Sequence, residues 1–129
     1  MYTVIESKAY GVWAVHQIVD GYKGHCPALE FLYMHAQQKQ YAASANGFRL
    51  LFQRYATGGR RGLTTDLFHE VDNKESIWEF VKGDLRMFCF MIGNNVILTH
   101  GAIKKGQRVN QQEVAAAVRA RDLLLPKLS

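Results

Sequence analysis

Residues 84–108, DLRMFCFMIGNNVILTHGAIKKGQR, place two strongly apolar runs on either side of a Gly-Asn-Asn turn. LRMFCFMI and NVILTHGAI are short, rich in aromatic and β-branched residues, and bounded by turn residues, so they read as a pair of buried antiparallel strands. Positive charge collects at the rim of that pair. Arg86 opens the first strand, His100 lies near the end of the second, and Lys104, Lys105 and Arg108 follow. The register depends on the turn. With a three-residue loop Ile92 opposes Val96, Arg86 faces Ala102, Phe88 faces His100, and Arg86, His100 and Lys104 share one face. A two-residue loop slips every pair by one, so that Lys105 rather than Lys104 shares the face of Arg86 and His100 turns to the other face. If Gly83-Asp84 closes the preceding hairpin, Glu79 opposes Phe88 and joins the cluster of the three-residue register.

Upstream, TDLFHEV and IWEFV are two more short strands, separated by DNKE and KGD, which extends the pair into an antiparallel meander. Residues 2–6 and 11–19 are also strand-like, paired or bent at the AYG turn. Pro27 suits the first turn of a helix. From Ala28 to about Gln40, Leu29, Leu32, Tyr33 and Ala36 recur at helical spacing, and a second helical pattern runs through Phe48, Leu51, Phe52 and Tyr55. Gly47 argues against one continuous helix and for a hairpin or kinked pair. TGGRRG at 57–62 reads as a loop. A last helix begins after Asn110, an N-cap with Glu113 three residues on, and runs to Pro126. The expected fold is α+β, with helices packed on one face of an antiparallel sheet.

With 129 residues the chain is expected to form one domain over 1–129, and 48% hydrophobic and 21% charged residues describe an ordinary globular protein. No apolar run reaches the roughly 18 residues of a membrane span. The N-terminus lacks the basic-then-apolar pattern of a signal peptide, so the cytoplasm is the expected compartment. Cys26 and Cys89 form no metal pattern with the five histidines and are read as reduced. No cofactor or metal is expected. The formal charge of +5 is unevenly spread. Residues 48–62 hold Arg49, Arg54, Arg60 and Arg61 without an acid, residues 63–100 are acidic, and six bases face two acids from residue 101 onward. Two basic blocks around an acidic middle suit a polyanion such as RNA, or else a plain solvated surface.

Cleaving RNA without a metal needs a base for the 2′-hydroxyl, positive charge on the pentacovalent phosphate and an acid for the 5′-oxygen. Arg86 with Lys104 or Lys105 would supply charge. His100 would move a proton. Glu79 is either a base or the counter-ion of Arg86. Arg54, Arg60, Arg61 and Arg108 are candidate contacts to the nucleic-acid backbone. His16, His25, His35 and His69 are read as structural.

The run IWEFVKGDLRMFCFMIGNNVILTHGAIKKGQRVNQQEVAAAVR resembles the C-terminal half of the RelE/ParE toxin superfamily, in particular its HigB-like, phage-derived branch. An arginine opens one strand, a lysine pair follows the next, and a terminal helix carries small apolar residues. The resemblance covers about residues 63–121. It implies a type II toxin that cuts mRNA on the ribosome, with a cognate antitoxin, of helix-turn-helix type, as its partner. Arg86 would then help hold the scissile phosphate, and Lys104-Lys105 would stand where relatives carry another basic residue. The family's paired strand lysines are replaced by Ile77 and Glu79, and its terminal tyrosine by Gln111 and Gln112. These departures leave the base unassigned. They also keep open a gyrase inhibitor of the ParE kind, or a relative that only binds an antitoxin.

Overall fold

The computed structural model describes the backbone of residues 2–9, 11–19, 22–106 and 108–128, and the side chains of residues 11–15, 24–106 and 108–125. Among these residues the strands are β1 (Tyr2–Ala9), β2 (Val12–Val19), β3 (Tyr22–Lys23), β4 (Phe68–Asp72), β5 (Ile77–Lys82), β6 (Leu85–Ile92) and β7 (Asn95–Ile103). The helices are α1 (Pro27–Ala36), α2 (Ala42–Gly58) and α3 (Gln111–Leu128), with a 3-10 turn, Gly59–Gly62, directly after α2. The strands lie in the order β1-β2-β7-β6-β5-β4, and β3 pairs with β2. The architecture is the expected α+β one. The meander β4–β7 is antiparallel throughout.

Glycine sets both tight hairpins of the meander. Gly83 (φ 57°) and Gly93 (φ 60°) stand first in two-residue turns that join Lys82 to Leu85 and Ile92 to Asn95. A left-handed residue at that position matches the twist of the flanking strands, and glycine adopts it without a Cβ clash. β1 and β2 pair as the expected hairpin, although Tyr10 of its AYG turn lies outside the described residues. The hairpin joins the meander by a parallel pairing, Val12–Ala14 of β2 against Val96–Leu98 of β7, so the sheet is mixed. The Val96 N–H donates to the Gly11 carbonyl at 2.7 Å, and the Trp13 indole donates to the Asn95 side chain at 3.2 Å.

Helices cover both faces of the sheet. Met87, Cys89, Val96 and Leu98 point to one face and pack with Phe48, Leu51, Phe52 and Tyr55 of α2 and Ala28 of α1. Phe88, Phe90 and Ile97 point to the other, where Val114, Ala117 and Leu124 of α3 meet them. The expectation of helices on a single face holds for α1 and α2. α3 takes the opposite face because β6 is buried at every position from Leu85 to Phe90, and such a strand needs cover on both sides.

Some boundaries differ from the sequence reading. The break between α1 and α2 falls at residues 37–41, while Gly47 lies inside α2, where a Cβ would press on the Lys82 side chain at 2.7 Å. Glycine there lets the helix approach β5. The expected loop at 57–62 is instead the end of α2 and a 3-10 turn, whose Arg60 lies 5.1 Å over the Trp78 ring. Asn110 caps α3, its Oδ1 accepting from the Gln112 N–H at 2.8 Å. The helix then continues through Pro126 to Leu128. A proline this close to the end forgoes a bond in the final turn rather than in the helix middle. Arg121 ties α3 to the β4–β5 turn through the Glu75 carboxylate at 2.7 Å and the Glu75 carbonyl.

The β6–β7 register combines the two readings of the turn. Near the turn the two-residue pairing holds, with Met91 opposite Val96 and Cys89 opposite Leu98. A bulge at Thr99 then shifts the pairing, so that Phe88 faces His100 and Arg86 faces Ala102. One extra residue on the bulged strand returns the far end to the register of a three-residue loop. Thr99 is buried, and its hydroxyl donates to the Phe88 carbonyl at 3.2 Å, supplying a partner where the ladder is interrupted.

Candidate functional site

β2 pairs with β7 only as far as Leu98, so among the described residues the outer edge of β7 from His100 to Ile103 carries no neighbouring strand. A cleft of about 590 Å³ opens at this edge. Elements from both faces reach it around the open strand. Phe31 and His35 come from α1, Arg86 and Phe88 from β6, Gly101 to Ile103 from β7, and Lys105, Arg108 and Glu113 from the loop and first turn leading into α3. Gly101 matters to this wall. A Cβ there would sit 2.1 Å from the Phe31 ring, so only glycine lets α1 lie this close to β7.

Arg86 lies at the base of the cleft. It is 5% exposed and its Nη1 donates to both carboxylate oxygens of Glu79, at 2.7 and 2.5 Å. Nη2 donates to the Gly106 carbonyl at 3.2 Å. Glu79 is fully buried, and its Oε2 also meets His69 Nε2 at 2.7 Å. Of the two roles the sequence left for Glu79, the geometry is that of the counter-ion. Arg86 and Glu79 therefore form a strut from β5 through β6 to the loop after β7, the loop that presents Lys105 and Arg108. Glu79 offsets much of the Arg86 charge, so the net positive field of the cleft comes from Lys105 and Arg108, both exposed.

The other sequence candidates are dispersed. Lys104 does not line the cleft; its backbone N–H is drawn to the Asp84 carbonyl at 2.6 Å, closing the strand end. His100 lies behind the cleft wall, stacked on Phe88 with ring centroids 5.0 Å apart, Nδ1 3.1 Å from Thr99 Oγ1 and Nε2 3.2 Å from Glu113 Oε2. Its link to the cleft runs through Glu113. Arg60 and Arg61 border a separate shallow pocket with Trp78 and His69, and Arg54 another, beside Leu50 and Thr57. His25 pairs with Glu30, and the side chain of His16 lies outside the described residues. Cys26 and Cys89 are buried free thiols, and burial followed by the nearby Glu79 charge pushes Cys89 well above its ordinary range, which leaves it inert.

Burial lowers the His100 pKa from the ordinary 6.5, with Glu113 opposing the shift. The fold therefore prefers the neutral ring. The unfolded chain binds this proton more readily, so the contribution is fully present above 6.5 and is lost as pH falls through the depressed folded value. His100→Gln is expected to flatten that part of the stability-versus-pH curve. Urea titrations across the acidic range check it; an unchanged curve contradicts the assignment.

His35 is the residue that sequence reasoning passed over. The sequence reads it as a structural histidine, yet His35 lines the cleft while His100 does not. The available signal was its place on the inward side of α1, seven residues after buried Ala28 and four after Phe31.

The family model of phage derived protein Gp49-like (DUF891) matches residues 34–122, well over half of the chain and a span containing Glu79, Arg86, Lys105, Arg108 and Glu113. The chain belongs to the Gp49-like family. That family comprises RelE/ParE-like toxins of toxin–antitoxin systems, and membership implies an antitoxin as partner. A search of curated proteins found no match. Among the described residues no helix is long and apolar enough to cross a membrane.

Proposed function

We propose that this Gp49-like protein is the toxin of a type II module, of the HigB-like branch, acting in the cytoplasm as a ribosome-associated endoribonuclease that needs no metal to cut mRNA. The observation that carries the reading is the cleft at the open edge of β7, whose lining joins the cations Lys105 and Arg108 to the apolar residues Phe31, Phe88 and Val109. Single-stranded RNA suits such a surface, because its phosphates take cations and its unpaired bases take aromatic and apolar contacts. A volume of about 590 Å³ accommodates the nucleotides that flank a scissile phosphate. Lys105 and Arg108 stabilise the added negative charge of the pentacovalent phosphate, and Arg86 holds their loop through Gly106. A small helix-turn-helix antitoxin is the natural inhibitor, covering this basic surface.

The test is induced expression with transcripts mapped from both ends. Growth arrest with cleaved mRNA is expected, abolished in Lys105→Ala/Arg108→Ala. Arrest with intact transcripts sinks the nuclease reading. One observation favours a gyrase-directed toxin instead: the guanidinium of Arg86 is already engaged by Glu79. Inhibition of supercoiling by the purified protein, with translation unaffected, would establish that alternative. Normal growth alongside tight antitoxin binding would mark a relative that only binds.

A further inference from the structure

We propose that His35 is the general base of the cleft, its Nε2 taking the proton from the 2′-hydroxyl of bound RNA. The inference rests on the ribonuclease reading and fills the role that reading leaves open.

The tautomer is set by the helix. His35 Nδ1 lies 2.7 Å from the Phe31 carbonyl oxygen, one turn back in α1. A carbonyl only accepts, so Nδ1 must carry the hydrogen, and the lone pair of the neutral ring is on Nε2. The ring is held in place: Phe31 lies against it with centroids 4.1 Å apart, and Tyr41 meets it edge-on at 5.4 Å. Nε2 has no hydrogen-bond partner among the described residues, and it is not among the buried side-chain atoms lacking one, of which there are none. His35 is 9% exposed and lines the cleft, and since no buried side-chain nitrogen among the described residues lacks a partner, Nε2 keeps some access to solvent. An imidazole with one nitrogen tethered and the other open is the arrangement a general base requires. The other charged groups in the cleft are Arg86, Lys105, Arg108 and Glu113, and the Glu113 carboxylate is already drawn to His100.

The step balances within the cleft. Nε2 removes the 2′-proton as the O2′–P bond forms, the P–O5′ bond breaks, and the Lys105 ammonium protonates the departing 5′-oxygen. The products are a 2′,3′-cyclic phosphate and a 5′-hydroxyl, and solvent returns both side chains to their starting states.

The experiment uses the full chain and mRNA programmed on ribosomes, comparing the native protein with His35→Ala, His35→Gln and Glu113→Gln. Native cleavage products are expected to end in a cyclic phosphate. Both His35 variants are expected to lower kcat by roughly 10²- to 10⁴-fold with little change in KM, and to lose the acidic limb of the pH–rate profile. His35→Gln can still donate to the Phe31 carbonyl, so it keeps the fold while being unable to accept the proton. Cleavage by His35→Gln at near-native rate, or loss of the acidic limb in Glu113→Gln instead, overturns the base assignment and leaves the ribonuclease reading intact. Absence of cleavage by the native protein overturns that reading, and this inference with it.

Discussion

Arg86→Ala lowers the free energy of unfolding by about 3–5 kcal/mol, the range seen when one member of a buried ion pair is removed. The reason is the carboxylate left behind. Glu79 is fully buried, and the pairs it makes are with Arg86 at 2.5 Å and His69 at 2.7 Å. Without the guanidinium, the carboxylate must stay charged in a poor solvent or take up a proton, and either is costly. For a chain of this size the loss corresponds to a fall in melting temperature on the order of 10 °C or more. Arg86→Met/Glu79→Met is expected to recover most of it, since replacing both partners with apolar groups leaves no orphaned charge. Chemical denaturation of the single and double variants decides the matter. If Arg86→Ala melts like the native protein, the strut is not what holds the loop. Loss of toxicity in Arg86→Ala therefore says little about chemistry, and a melting curve has to accompany it.

Lys105→Ala/Arg108→Ala behaves in the opposite way, keeping stability and losing RNA. Both side chains are exposed, and neither has a protein carboxylate as an ion-pair partner among the described residues, so truncation orphans nothing inside the fold. Their work is done on the ligand. Each cation that neutralises a phosphate releases counterions, and for single strands the salt dependence changes by about 0.7 per contact. The double variant is expected to bind single-stranded RNA with a log K versus log salt slope shallower by about 1.4, and to bind it weakly at physiological salt. Fluorescence anisotropy across a salt series measures the slope. An unchanged slope would move the RNA path elsewhere, with the Arg60/Arg61/Trp78 pocket the next surface to examine.

Much of the fold was legible because the cues were local. The apolar runs at 85–92 and 95–103, the glycine turns and the Asn110 cap each stand within a few residues of the structure they specify. The site was legible in part. The convergence of Arg86 and Lys105 on a common cleft was readable, since strand alternation and two candidate registers brought a lysine to the same rim. The distribution of roles was not. His100 looked exposed to the site because its face was judged from register alone, whereas Phe88 and Glu113 enclose it. His35 reads as structural because it has no partner at metal-ligand spacing, and nothing near it in sequence marks the end of the sheet.

The sequence by itself determined the strands other than β3, the three helices, the positions of the meander's turns and the placement of basic residues after the last strand. Periodicity and glycine conformation act between near neighbours, so those features are written where they occur. Only the tertiary structure decided the Thr99 bulge, the parallel docking of β2, the passage of α3 to the opposite face and the entry of His35 into the cleft. Each of these depends on which distant surfaces bury each other best. The free energy that selects among them is shared by residues that lie far apart along the chain.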